Sequence, residues 1–154
     1  MRPSDHRAEV RLWLRLLTCT TMIEAEIRRR LRESFGVTLP RFDLMAQLEK
    51  EPGGLTLSDI SRRMMVSNGN LTGLVERLVE SGHVARRASA TDKRAQVISL
   101  TAAGRAAFAE MAKAHEGWIA SLFAGLGSGG QDELMNLLGR AKGSVREACQ
   151  GEMP

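Results

Sequence analysis

The fold is decided by residues 55–82, which read LTLSDISRRMMVSNGNLTGLVERLVESG. Thr56 and Asp59 form a capping-box pattern that predicts the start of a short helix. Ser67 is placed to cap a second helix, whose apolar residues recur at three- and four-residue steps until Gly82 stops it. Two short capped helices joined by a tight turn are typical of a helix-turn-helix.

The residues that follow this motif change from a helical to an alternating pattern. Over residues 84–88, Val84, Arg86 and Ala88 alternate against Ala85 and Arg87. Over residues 97–101, Val97, Ser99 and Thr101 alternate against Ile98 and Leu100, and the segment between them at 89–94 is polar. This pattern predicts a β-hairpin with a charged tip. A helix-turn-helix followed by such a hairpin is a winged helix-turn-helix. We assign this domain to residues 38–101, where Pro40 suits the first turn of its first helix.

One long helix is predicted before this domain, over residues 7–34, with Gly36 as its stop. At ~1.5 Å per residue this helix is about 42 Å long, which is more than one small core covers. We therefore expect a partner chain to bury its apolar stripe. That stripe consists of Leu12, Leu16, Cys19, Ile23 and Ile27.

Two further helices are predicted after the hairpin. Thr101 is placed to cap a helix over residues 102–124. Ser128 and Gln131 form another capping-box pattern, which predicts that a final helix opens after a glycine-rich break at 125–130.

The predicted fold class is mainly α with a small β wing. The winged helix-turn-helix is flanked by residues 1–37 and 102–154, which we expect to form a helical dimerisation region that makes the protein a homodimer. These flanking helices are amphipathic, and the middle domain does not need them for its own core.

Length and composition place the chain among globular proteins. It has 154 residues, of which 43% are apolar and 26% are charged. No stretch reaches the ~18–20 apolar residues of a membrane helix, and no apolar run follows the charged N-terminus, so we expect a cytoplasmic protein. Two cysteines, Cys19 and Cys149, provide no disulfide framework. His6, His83 and His115 are isolated from other metal ligands, so neither a metal nor a cofactor is expected.

The net charge of +4 is concentrated in the predicted domain. Residues 60–101 contain seven basic and three acidic side chains, whereas the segments before and after them nearly balance. A local basic cluster on such a fold indicates a polyanionic partner.

With these motifs, the chain resembles the MarR family of transcriptional regulators over essentially its full length. The most specific part extends from Leu55 to Gly104. It includes Asp92-Lys93-Arg94 at the wing and a strand followed by Leu100-Thr101-Ala102-Ala103-Gly104. The resemblance implies an obligate homodimer that binds a pseudo-palindromic operator, usually as a repressor, and that is released by a small ligand or by oxidation.

The start of a recognition helix presents side chains to the major groove. The candidates there are Ser67, Asn68, Asn70 and Thr72, although Ser67 can also be only a cap and Thr72 only a helix residue. At the wing we expect Arg94 to enter the minor groove, with Asp92 orienting it, as the resemblance implies. Phosphate contacts are expected from further basic residues, for which the alternative is ordinary solvated charge. These residues are Arg62, Arg63, Arg86, Arg87 and Lys93.

The sensor is less defined. The resemblance implies an effector between the dimerisation helices and the winged domain, such as an aromatic carboxylate or its coenzyme A thioester. The residues that can supply charge and a stacking surface are Arg11, Trp13, Arg15, His115 and Trp118, each of which can also be a plain surface or interface residue. Cys19 is an alternative sensor of oxidation, although its place on the apolar stripe favours a buried, unreactive thiol.

Two other classes of function compete with a DNA-binding regulator. A winged helix used only for protein–protein interaction should present apolar anchors, whereas this recognition helix is polar. An enzyme is not expected, because the sequence has no phosphate-binding loop and no nucleophile–base motif.

Overall fold

The computed structural model describes residues 5–92 and 94–151, which form six α-helices, one short 3₁₀ helix and three strands. In chain order the elements are α1 (Arg7–Phe35), α2 (Leu39–Glu49), β1 (Leu55–Thr56), α3 (Leu57–Met64), α4 (Asn68–Glu80), β2 (Val84–Ala88), β3 (Gln96–Leu100), α5 (Ala102–Phe123), the 3₁₀ helix (Ala124–Leu126) and α6 (Gly127–Gly151).

The predicted caps set the ends of the helices in the first half of the chain. Gly36 ends α1 with a left-handed backbone (φ 63°), and its N–H donates to carbonyls in the last turn. The Thr56 hydroxyl accepts the Asp59 N–H at 3.2 Å, and the Ser67 hydroxyl accepts the Asn70 N–H at 3.4 Å. These predicted helix ends are confirmed.

The strands form one antiparallel sheet in the order β1-β3-β2. In the predicted hairpin, Val84 pairs with Leu100 and Ala88 pairs with Gln96. Strand β1 was not predicted, because two residues are too few to show a period. It lies on the other edge of β3, where Leu55 pairs with Ile98.

A single apolar core holds the helix-turn-helix and the sheet together. Phe108 and Met111 of α5 are also buried in this core, so the first part of α5 packs against the winged domain. Burial of each large apolar side chain contributes roughly 1.5–3 kcal/mol. The most deeply buried members are Leu31, Leu44, Met45, Leu48, Ile60, Leu71, Val75, Leu78 and Ile98.

Gly104 lets α5 pack closely against the start of the wing. A Cβ on Gly104 would lie 2.0 Å from the carbonyl oxygen of His83, a distance that no side chain can adopt. The Thr101 N–H donates to that same oxygen at 3.0 Å, and the Thr101 hydroxyl donates to the Gly82 carbonyl at 2.6 Å. The Thr101 hydroxyl also accepts the Gly104 N–H at 3.0 Å, as its predicted capping role requires. This packing gives a physical reason for the Thr-x-x-Gly pattern.

The chain divides into two compact units, one ending at His115 and the other beginning at Glu116. In the second unit the break expected at residues 125–130 is present but shorter: Ala124–Leu126 form the 3₁₀ helix, Gly127 has a φ of 67°, and α6 continues from there. Ser128 is therefore inside the helix rather than at its cap. Gln131 instead donates its side-chain amide to the Phe123 carbonyl at 3.2 Å.

The first half of α1 is exposed, although its sequence is apolar. Only the end of this helix is buried, at Ile27 and Leu31, whereas Leu12 is 70% exposed and Trp13 is 56% exposed. None of the helices in the described residues combines the length and apolar character needed to cross a membrane.

The predicted fold class is confirmed in its main features: a largely helical chain that carries a winged helix-turn-helix with a small antiparallel wing. The division into a DNA-binding domain at residues 38–101 and a dimerisation region at 1–37 and 102–154 stays a prediction.

Candidate nucleic-acid interface

The start of α4 forms an exposed polar surface. Ser67, Asn68, Asn70 and Thr72 are all exposed, and Leu71 between them anchors the helix in the core with no exposed surface. Among the described residues, no hydrogen bond to the side-chain amide of Asn68 or Asn70 is present. Both amides are therefore available to form the paired hydrogen bonds that Asn makes with adenine.

The two hydroxyl residues of this surface are already engaged with the helix backbone. Ser67 accepts the Asn70 N–H as the cap of α4, and Thr72 donates its hydroxyl to the Asn68 carbonyl at 2.8 Å. Thr72 therefore keeps acceptor capacity for an outside donor, whereas Ser67 keeps its own hydroxyl hydrogen to donate. Both hydroxyls can serve the local helix and a ligand at once.

The tip of the wing is organised by Asp92. Its carboxylate accepts the backbone N–H of Arg94 at 3.0 Å, within a turn that Ala95 closes by donating its N–H to the Asp92 carbonyl at 3.1 Å. Asp92 thus fixes the backbone of the tip rather than the Arg94 guanidinium, which was the expected partner. The Arg94 side chain is exposed. Lys93, also expected to take part, lies outside the described residues.

The predicted phosphate-binding residues fall into two groups. Arg62 is ion-paired with Asp59, Arg63 donates to Glu51 at 3.1 Å, and Arg87 donates to the Gly53 carbonyl at 2.5 Å. Hydrogen bonds from the Thr56 hydroxyl and then Arg62 hold the pKa of Asp59 below its ordinary value. Arg86 is exposed, and the described residues include no ion pair with it.

A further group of basic residues was missed by the sequence analysis. Arg28 and Arg32 of α1 and Arg77 of α4 line a cavity of about 540 Å³, together with Asn70. The signal was present in the sequence: Arg28 and Arg32 are four residues apart, so they lie on one face of the helix. A run of charge at a helix end is nevertheless most often solvated surface, so this spacing alone does not indicate a site.

The proposed effector residues on α1 are all exposed. Arg11 and Arg15 are four residues apart and share a helix face, whereas Trp13 lies between them and points to a different side. Arg11 lines a wide, open depression at the start of α1 together with His6 and Val10, and a ligand site that also uses Trp13 and Arg15 needs a second surface.

His115 lies against the aromatic part of the core. Its ring centroid is 4.9 Å from that of Phe42, which itself contacts Phe108. Desolvation of the carboxyl, and next the charge of Glu24, raise the pKa of the neighbouring Asp43, while His115 acts in the opposite direction. Trp118 is half-buried in the second compact unit.

The expectation that a partner chain buries Cys19 stays a prediction, and in the single chain this thiol is exposed. The reason is that its neighbours on the apolar stripe, such as Leu16, are also uncovered along this half of α1. Cys149 is exposed as well.

The chain is similar in sequence to known transcriptional regulators. A sequence profile of the MarR family matches residues 35–95. The transcriptional activatory protein BadR of Rhodopseudomonas palustris is 33% identical over 62% of this chain and 55% of its own length. An HTH-type transcriptional repressor of Mycobacterium tuberculosis is 35% identical over 46% of this chain and 50% of its own.

The structural comparison extends over nearly the whole chain. A mutant of MarR from E. coli, solved in complex with operator DNA, has a TM-score of 0.76 at 19% identity and covers 90% of this chain and 99% of that one. At this identity the likeness concerns the fold. The chain spans about half the length of the curated relatives it matches.

Proposed function

We propose that the chain is a transcriptional regulator of the MarR family, whose profile matches residues 35–95, and that it binds a pseudo-palindromic DNA operator as a homodimer. In this proposal α4 enters the major groove and the wing reaches the adjacent minor groove. The protein acts in the cytoplasm and performs no catalysis of its own.

The observation that carries the proposal is the combination of exposed amides at the start of α4 with an exposed arginine on an ordered wing tip. Asn68 and Asn70 expose amides suited to base edges, and Arg94 is exposed on a turn that Asp92 holds in place. An exposed guanidinium on such a tip fits the negative potential of a narrow minor groove.

A homodimer is supported by the apolar surface of α1. Val10, Leu14 and Leu17 repeat at helical spacing and are 54%, 52% and 42% exposed. Apolar residues at this density on one helix mark an interaction surface. A second copy gives the two recognition helices the spacing of one duplex turn, about 34–36 Å, that a palindromic site requires.

For the effector we propose a small organic acid, of the aromatic carboxylate or coenzyme A thioester type, with Arg11, Trp13, Arg15, His115 and Trp118 as candidate contacts. A ligand that binds only dimers with the wrong spacing shifts the population away from the DNA-binding form. We propose repression as the direction of control, as for the mycobacterial relative. Cys19 stays an alternative sensor of oxidation.

The decisive experiment is selection of bound duplexes from a random pool, followed by affinity measurements at one salt concentration with the wild type and Arg94→Ala. We expect one palindromic sequence to be enriched and Arg94→Ala to weaken binding to it by roughly 10-fold or more, as for loss of one good base contact of ~1–3 kcal/mol. Arg146→Ala, on exposed α6, is the charge-matched control. A pool that shows no enrichment contradicts the proposal.

The sensor is tested with the same duplex. Release by one acid from a panel of aromatic carboxylates and thioesters identifies the effector class. Release by peroxide that disappears in Cys19→Ser assigns the role to the thiol instead. In cells, deletion of the gene should raise transcription from the bound promoter, and a fall would mean activation.

A further inference from the structure

A cavity of about 540 Å³ lies between the end of α1, the start of α2 and the start of α4. Its walls are apolar at Val37, Leu39 and Leu74. Three arginines also line it, namely Arg28 and Arg32 from α1 and Arg77 from α4. The start of α4 reaches the same cavity through Asn70.

The arginines of α1 differ in how they are neutralised. Arg29 is bound by Glu26 at 2.6 Å and by Glu33 at 2.7 Å, and Arg30 is bound by Glu26 at 2.6 Å. Within the described ranges no ion pair involves Arg28 or Arg32. The arginines of α1 that line the cavity are therefore those that form no ion pair among the described residues.

The spacing of Arg28 and Arg32 has a cost. They are four residues apart, and like charges at this spacing destabilise a helix. Arg28 is partly offset by Asp43, whose pKa it acts to lower. Arg32 and Arg77 have no ion-pair partner in the part of the chain that the structure describes. Positive charge is thus concentrated at the cavity, which favours the binding of an outside anion there.

The start of α2 adds to this positive surface. Thr38 lines the cavity and caps α2 by accepting the Arg41 N–H at 3.4 Å, which leaves its own hydroxyl hydrogen free to donate. The N-terminus of an 11-residue helix also carries a partial positive charge.

We propose that this cavity binds the DNA backbone: phosphates beside the groove that α4 enters contact Arg32 and Arg77, with Arg28 and Thr38 in support. The inference rests on the proposed function and adds a DNA contact made by α1, which the sequence had assigned only to dimerisation. A DNA strand carries one negative charge per about 3.4 Å along the helix axis. Arginines on two helices can therefore contact successive phosphates, whereas one small carboxylate ligand would supply a single negative charge.

The test is the salt dependence of binding to the duplex selected by the wild type. Each phosphate contact contributes about 0.9 to the slope of log affinity against log salt concentration, so we expect Arg32→Gln and Arg77→Gln each to reduce its magnitude by about that amount. The ratio of affinities for the selected and a random duplex should stay unchanged, because phosphate contacts do not read sequence. Arg146→Gln on α6 removes the same charge elsewhere and should leave the slope unchanged.

Two further variants separate the effect of charge from the effect of the guanidinium group. Arg32→Lys and Arg77→Lys retain the charge, and they should retain the slope even if their affinity falls. Thermal melting of every variant shows whether it is folded. Since Arg32 and Arg77 are exposed, we expect melting close to that of the wild type.

Several results would overturn the inference while leaving the proposed function intact. One is that the glutamine variants bind the selected duplex with the same salt dependence as the wild type. Another is a loss of sequence preference at an unchanged slope, which would make these residues base readers. A third is stabilisation of the wild type, but not of Arg32→Gln, by benzoate with no change of slope, which would make the cavity a small-acid site. If the wild type selects no duplex at all, it is the proposed function that fails.

Discussion

Replacement of Gly104 by alanine tests the packing of α5 against the wing most directly. The added Cβ would lie 2.0 Å from the His83 carbonyl oxygen and 2.9 Å from its carbon, both of them backbone atoms that cannot rotate away. The helix and the start of β2 must therefore move apart by more than about 1 Å to restore an ordinary contact distance of ~3.5 Å.

The magnitude follows from three contributions. Overpacking costs typically ~1–3 kcal/mol, and contact with rigid backbone places this site at the upper end. Separation also weakens the 3.0 Å hydrogen bond from the Thr101 N–H to the His83 carbonyl, at about 1 kcal/mol. Alanine regains about 1 kcal/mol of helix propensity. We expect Gly104→Ala to lower the free energy of unfolding by about 3 kcal/mol.

The assay is urea denaturation at fixed protein concentration, with the midpoint and the slope compared between variants. Gly117→Ala, in the same helix, is the control, because a Cβ on Gly117 would meet no described atom within 4 Å. We expect the control to be unchanged or up to ~1 kcal/mol more stable. If Gly104→Ala unfolds at the same urea concentration as Gly117→Ala, the close approach of α5 to His83 is refuted.

Three further results are expected. Hydrogen bonds from Arg29 and then Arg30 lower the pKa of Glu26 from 4.5 to about 2, so the stability that this carboxylate contributes is present above pH 4.5 and is lost as the pH falls towards 2. Glu26→Gln should therefore lose less stability than the wild type over this pH range. Melting temperatures measured between pH 4.5 and pH 2 will show the difference. Ser67→Ala should destabilise the protein by about 1 kcal/mol through loss of the α4 cap. Ser67→Asp should restore stability in urea but weaken DNA binding, because its carboxylate repels phosphate. Equal DNA binding by both variants would limit Ser67 to capping. Leu14→Glu should give a monomer in sedimentation and lose operator binding, and a stable dimer would place the interface elsewhere.

Local signals in the sequence were sufficient for most of the fold. Caps and glycine stops act within one turn of the helix they bound, so Gly36, Thr56, Ser67 and Thr101 could be assigned without knowledge of the tertiary structure. The break predicted after α5 is longer than the one observed, because intrinsic propensity extended it to residue 130, whereas α6 begins at Gly127.

The site was less predictable, because it depends on which side chains find partners. The sequence could not show that Arg62, Arg63 and Arg87 are engaged within the protein, since Glu51 and Gly53 meet two of them only through the fold. Nor could it show that Arg77 faces the end of α1, because residues so far apart in the chain have no shared periodicity.

Thr56 belongs to two elements at once, and this has a mechanical consequence. It pairs with Val97 of the wing, while its hydroxyl caps α3. Arg87, from the other strand of the hairpin, donates to the Gly53 carbonyl just before β1. Lifting the wing away from the helices would break the strand pairing and the arginine bond together. The wing is therefore tied to the helix-turn-helix, and for the proposed DNA-binding mode we expect stopped-flow association with the operator to follow one exponential phase.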